Sequence, residues 1–134
     1  MAGHSGKPLW QKLGIKSEMR CILLNGVPNY QELLGPEVPN VDWLDILVPQ
    51  TEFVHVFATQ KAVLFGVLTN ARSSIASNGM VWVSWPKKSS GQPSEITEDT
   101  IRSLALPMGF VDVKVCSVSE VWSGLKLVIR KELR

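Results

Sequence analysis

Long apolar runs are missing from this sequence. No stretch approaches the ~20 residues that a membrane-spanning helix requires, so a membrane is not an expected partner. Cysteine is scarce, with only Cys21 and Cys116. Each sits inside an apolar run, and no CxxC or Cys/His cluster accompanies them, so no metal site is expected. Buried free thiols in a reducing cytoplasm are the expectation instead. The opening residues, MAGHSGKPLW, contain no apolar segment of the kind a signal peptide carries. Charge is also sparse. Lys and Arg total 14 against 12 Asp and Glu, and a net charge of +2 is too small to draw nucleic acid by bulk attraction. Also absent are the two glycine motifs that cradle phosphates, G-x-G-x-x-G and GxxxxGK[ST].

What is present suits a folded core. Apolar residues make up 45% of 134 residues and charged ones 19%, which argues against disorder. The length fits one α/β domain over 1–134, with residues 1–6 read as a disordered tail. The remaining charge is unevenly spread. No Lys or Arg occurs between Cys21 and Gln60, whereas Lys7, Lys12, Lys16 and Arg20 crowd the start.

Periodicity predicts an alternation of strands and helices. RCILLN (20–25) and FVHVFAT (53–59) are apolar on both faces, as central strands are. VDWLDIL (41–47) reads as a weak strand, MVWVSW (80–85) as a strong one. YQELLG is a short helical turn. Leu64, Val67, Leu68, Ala71 and Ile75 recur at helical spacing within 60–76, and Gly79 is expected in a left-handed position that ends the helix. Thr97 fits the cap of a second long helix, with Glu98 and Asp99 in its first turn. VDVKVCSV (111–118) and SGLKLVIRKE (123–132) follow as strands. Their short link makes this last pair antiparallel, while the strand–helix–strand units before it imply parallel pairing. The final strand is expected near a sheet edge. Leu9, Trp10, Leu13 and Ile15 predict that the N-terminal segment packs as a short helix, stopped at Gly14.

In an open sheet of this kind, ligands sit beyond the carboxyl ends of the strands. Asn25, Gly26, Thr59, Trp85, Lys87 and Lys88 fall there and form the candidate rim. Asp45, about twenty residues beyond the first strand, is placed where a ribose-binding carboxylate would be. Lys87 and Lys88 are suited to an anion and Trp85 to a flat ring. The plain alternative is that Trp85 packs on a helix and Pro86 merely ends its strand. His55, central in a strand, reads as a hydrogen-bonded core residue. No catalytic constellation is recognised, and tryptophans at 10, 43, 82, 85 and 122 read mainly as packing residues.

The strand order and the phrase ARSSIASNGMVWVSW resemble the class I S-adenosylmethionine-dependent methyltransferases. Over Lys7 to Arg134 the chain is also similar to a bacterial domain-of-unknown-function family of small proteins. KPLWQKLGIK, WVSWPKK, TEDTIRSLALPMGFVDVKVC and WSGLKLVIRK carry that similarity. The resemblances imply a Rossmann-like, mostly parallel sheet with an antiparallel C-terminal strand pair, a degenerate methyltransferase-like fold. They bring no functional residue with them. The methyltransferases' glycine-rich loop should follow Leu24, where NGVPNY stands, and a strand and helix of their usual set are missing between Leu47 and Phe53.

Three functions compete. The first is a non-catalytic binding or interaction protein without a cofactor, taking a small anionic ligand or a protein partner. The second is a small methyltransferase with an atypical S-adenosylmethionine pocket. The third is an anion- or RNA-binding module using Lys87, Lys88 and the basic N-terminal segment. The sequence leans toward the first and sets no oligomeric state.

Overall fold

The structure, a computed structural model, describes residues 6–134. The expected tail, including His4, lies outside the described residues apart from Gly6. Among the described residues there are six strands: β1 Arg20–Leu24, β2 Asp42–Trp43, β3 Thr51–Phe57, β4 Ile75–Pro86, β5 Phe110–Ser117 and β6 Trp122–Ile129. They form one sheet in the order β2-β1-β3-β4-β6-β5. The first four are parallel neighbours, and β6 runs antiparallel to both β4 and β5. The expected open α/β sheet with its antiparallel terminal pair is therefore the observed one.

Four α-helices among the described residues cover its two faces: α1 Leu9–Leu13, α2 Tyr30–Leu34, α3 Lys61–Ser74 and α4 Glu98–Ala105. Successive strand residues point to opposite faces. Ile22, Val54, Val56, Val81 and Val83 pack against Leu64, Leu68 and Ile101 of α3 and α4. Cys21, Phe53, Phe57 and Trp82 pack against Leu9, Leu13, Tyr30 and Leu34 of α1 and α2. A sheet covered on both faces needs strands that are apolar throughout, which is why RCILL and FVHVF carry no alternation.

The weak strand is far shorter than expected, pairing only through Asp42 and Trp43. From there the chain reaches β3 along residues 44–50 with no helix. Parallel crossovers ordinarily take a dozen residues or more. This one is short because β2 is a stub and Leu44 and Leu47 pack directly on the core. Gln50, at φ +67°, then turns the chain into β3.

Gly79 departs from expectation. Helix α3 ends at Ser74, Ile75 is already extended, and Gly79 lies inside β4 without a positive φ. A Cβ there would stand 3.0 Å from the Ala76 carbonyl oxygen and 3.2 Å from that of Thr51. The glycine serves a close backbone approach, at the point where the β3–β4 register shifts. The final strand is not at an edge either. β6 is inserted between β4 and β5, leaving β5 outermost. A register irregularity between Asp112 and Lys114 interrupts that edge, and Lys114 adds a charge, both of which discourage further strand pairing.

Thr97 caps α4 as expected, its Oγ1 accepting from the Thr100 amide at 3.2 Å. Thr97→Ala should cost about 1 kcal/mol in urea denaturation. An unchanged midpoint would show that the cap contributes nothing. Arg102 then ties α4 to β5. It donates to Asp112 at 2.9 Å and also pairs with Glu98 and Asp99. The Arg102 hydrogen bond holds the Asp112 carboxyl below its ordinary range.

Candidate functional site

Parallel pairing of β1, β3 and β4 sends their carboxyl ends to one rim, with Leu24 beside Val56 and Phe57 beside Ser84. β6 runs the other way, so its amino end arrives at the same rim, Trp122 opposite Pro86. Between these ends lies a hollow of about 190 Å³, lined by Asn25, Phe57, Ala58, Thr59, Gln60, Val63 and Trp122. Its aromatic walls are Phe57 and Trp122, whose rings meet edge to face at 5.0 Å. Asn25 turns the chain out of β1 at φ +53°.

Of the candidate residues, Asn25 and Thr59 come together in this hollow; the others do not line it. Gly26 is exposed beside it. The space a Cβ would take at Gly26 is filled by the Leu23 side chain, not open to a phosphate. Asp45 is exposed on the 44–50 crossover. Trp85 is buried in the core with the residues of α3 and α4, the packing role rather than the stacking one. Lys87 is held by its own chain, with Nζ donating to Ser117 Oγ at 2.7 Å and its amide to the Val121 carbonyl at 2.7 Å. Lys88 is exposed and begins a single 3₁₀ turn. The opening of α3, where an anion would ordinarily find free amides, is taken by Glu95, whose Oε1 accepts from the Lys61 amide at 2.9 Å.

Sequence reading missed Phe57 and Trp122. Trp122 was the more accessible of the two, because an antiparallel last strand must begin at the carboxyl rim.

Beneath the hollow runs a buried polar chain. His55 Nδ1 is 2.8 Å from Tyr30 Oη, and Nε2 is 2.8 Å from Ser84 Oγ. Both nitrogens of a neutral imidazole are thus used, one donating and one accepting. Burial pushes the His55 pKa down to about 3 and raises that of Tyr30, so both stay uncharged across the neutral range. Phe57 stacks on the His55 ring at 4.6 Å and 21°, and Tyr30 meets it edge-on at 5.3 Å. His55 is the hydrogen-bonded core residue its strand position predicts. Burial also pushes the Cys21 thiol up to about 12 and raises that of Cys116, which keeps both protonated and poorly nucleophilic.

A family sequence profile described as "protein of unknown function (DUF3052)" matches residues 53–131, more than half of the chain. The chain belongs to the DUF3052 family. No curated protein matches its sequence significantly. Solved structures do match in shape. A SAM-dependent methyltransferase from Aquifex aeolicus shares 15% identity at a TM-score of 0.64, covering 89% of this chain and 86% of that one. The PH0226 protein of Pyrococcus horikoshii shares 13% at 0.61, covering 91% and 86%. Aeropyrum pernix fibrillarin, solved with natively bound S-adenosyl-L-methionine, shares 13% at 0.57, covering 87% and 69%. At such identities the likeness is one of fold. This DUF3052 chain has a methyltransferase-like Rossmann fold, with the helixless 44–50 crossover between β2 and β3.

Proposed function

We propose that this chain is a non-catalytic binding protein that keeps the methyltransferase scaffold without its nucleoside cofactor. The observation that carries this reading is the lining of the carboxyl rim. The aromatic hollow, at about 190 Å³, is smaller than the roughly 300 Å³ at which pockets for ligands of cofactor size begin, and the wider hollow beside it, about 400 Å³, shares Thr59 and Gln60 but is otherwise lined by Pro93, Ser94 and Glu95. Among the described residues no carboxylate lines the aromatic hollow, Leu23 occupies the space beside Gly26, and Glu95, the one acid lining the wider hollow, is turned to the Lys61 amide and brings negative charge to the start of α3. These residues do not fit S-adenosylmethionine. They suit a small uncharged group seated against Phe57 and Trp122 and fixed by Asn25, Thr59 or Gln60, such as a side chain of a protein partner. Two cysteines outside any disulfide agree with a cytoplasmic protein. The other reading, a small S-adenosylmethionine-dependent methyltransferase, draws on the fold alone.

Thermal unfolding of the full chain with S-adenosylmethionine, S-adenosylhomocysteine and NAD tests this. Ligand at a hundredfold its Kd would stabilise the folded state by about 2.7 kcal/mol, raising Tm by several degrees. The expected result is an unchanged Tm with all three. A saturating, dose-dependent rise with any of them overturns the proposal.

A further inference from the structure

Away from the hollow, the β5–β6 pair carries an unusual juxtaposition. Lys114 stands directly opposite Lys126 across the ladder. Directly opposed residues share a sheet face, and like charges so placed are destabilising. Lys126 is itself half-buried and is also opposite the fully buried Trp82 of β4. That face is the one α1 covers, since Trp82 Nε1 donates to the Leu13 carbonyl at 2.8 Å. Lys16 follows Leu13 by three residues, so it leaves α1 on this same face. Burial above all, then the charges of Lys114 and Lys16, holds the Lys126 ammonium below its ordinary range. Lys12 and Lys114 both act on the Cys116 thiol of the same face. Among the described residues no ion pair includes Lys16, Lys114 or Lys126, and Asp112, two residues from Lys114, pairs with Arg102 instead.

Crowded lysines around a half-buried ammonium, without a counter-charge, are an arrangement that folding alone disfavours. Residues that break a local rule without structural gain are expected at functional or strained sites. Lysine ammonium groups bind phosphate as mobile point charges. We propose that Lys114 and Lys126, with Lys16 beside them, form a binding site for a small, multiply charged oxyanion of the polyphosphate type. This inference does not depend on the rim hollow and names a different surface from Lys87 and Lys88.

The test is thermal unfolding at low ionic strength, with tripolyphosphate as the probe. The proteins are the wild type, Lys126→Met, Lys114→Gln and, as a control outside the cluster, Lys131→Met. Without the probe, Lys126→Met and Lys114→Gln should each unfold about 1–4 °C above wild type, because a repulsion has been removed. With tripolyphosphate, wild type and Lys131→Met should rise in Tm, and the rise should fade with added salt. Lys126→Met and Lys114→Gln should lose most of it. The proposal is overturned if wild type does not respond, if both cluster variants respond as wild type does, or if both are less stable than wild type without the probe. A response to single-stranded RNA at equal phosphate concentration, with none to tripolyphosphate, would also overturn it.

Discussion

Between pH 6.5 and about 3, His55 should cost the folded state about 1.4 kcal/mol of stability for each pH unit of acidification. The folded pKa is depressed from its ordinary 6.5 to about 3 by complete burial. In that window the unfolded chain takes up a proton and the folded chain does not, so acid favours unfolding. Above pH 6.5 both states carry neutral imidazole and the contribution is fully present. It is lost as pH falls through the window. The direction is the same as for Asp112, whose carboxyl is lowered by Arg102, so a control is needed. His55→Gln removes the titration but leaves the carboxylates. It should be less stable at pH 7, because Tyr30 Oη and Ser84 Oγ lose their shared partner at the centre of the sheet. Its stability should fall less steeply with acid than that of wild type. Urea denaturation at a series of pH values reads both slopes, and equal slopes would refute a neutral, buried His55.

The other large effect concerns the N-terminal segment, which lies wholly outside the 53–131 family match. A chain starting at Lys16 should fail to unfold cooperatively. Leu9, Leu13 and Ile15 are 7%, 0% and 2% exposed, and burying each such side chain contributes about 1.5–3 kcal/mol. Removing them also uncovers Met80 and Trp82 and strips Trp82 Nε1 of the Leu13 carbonyl. It further ends the bond from Trp10 Nε1 to the Pro36 carbonyl at 2.8 Å, which ties α1 to the exit of α2. The sum exceeds about 5 kcal/mol, comparable with the whole stability of a small domain. The milder Leu13→Ala should fold with a loss of about 2–5 kcal/mol. Near-wild-type urea midpoints for both variants would mean that α1 is an ornament on the sheet.

Alternation of strand and helix was legible because periodicity records burial. RCILLN and FVHVFAT are apolar on both faces since the sheet is covered on both, and the link between β5 and β6 left only antiparallel pairing. Three features were not legible, each for a physical reason. Gly79 has the look of a helix stop, yet it is required by the approach of Ala76 and Thr51 backbone, a tertiary fact. β6 seemed peripheral by its place in the chain, but strand order depends on which neighbour it pairs with, and β4 accepts it. Of the seven candidate rim residues, two line the hollow. Strand direction put Asn25 and Thr59 at the hollow, whereas the rotation of Trp85 into the core and the capture of Lys87 by Ser117 follow from side-chain packing. The opposition of Lys114 and Lys126 was invisible because it follows only once the sheet register is known.

Titration calorimetry of the full chain with S-adenosylmethionine bears most directly on whether this scaffold has given up its cofactor. No heat beyond dilution is predicted at protein and ligand concentrations that would reveal micromolar binding. A saturable, one-to-one isotherm would contradict the account.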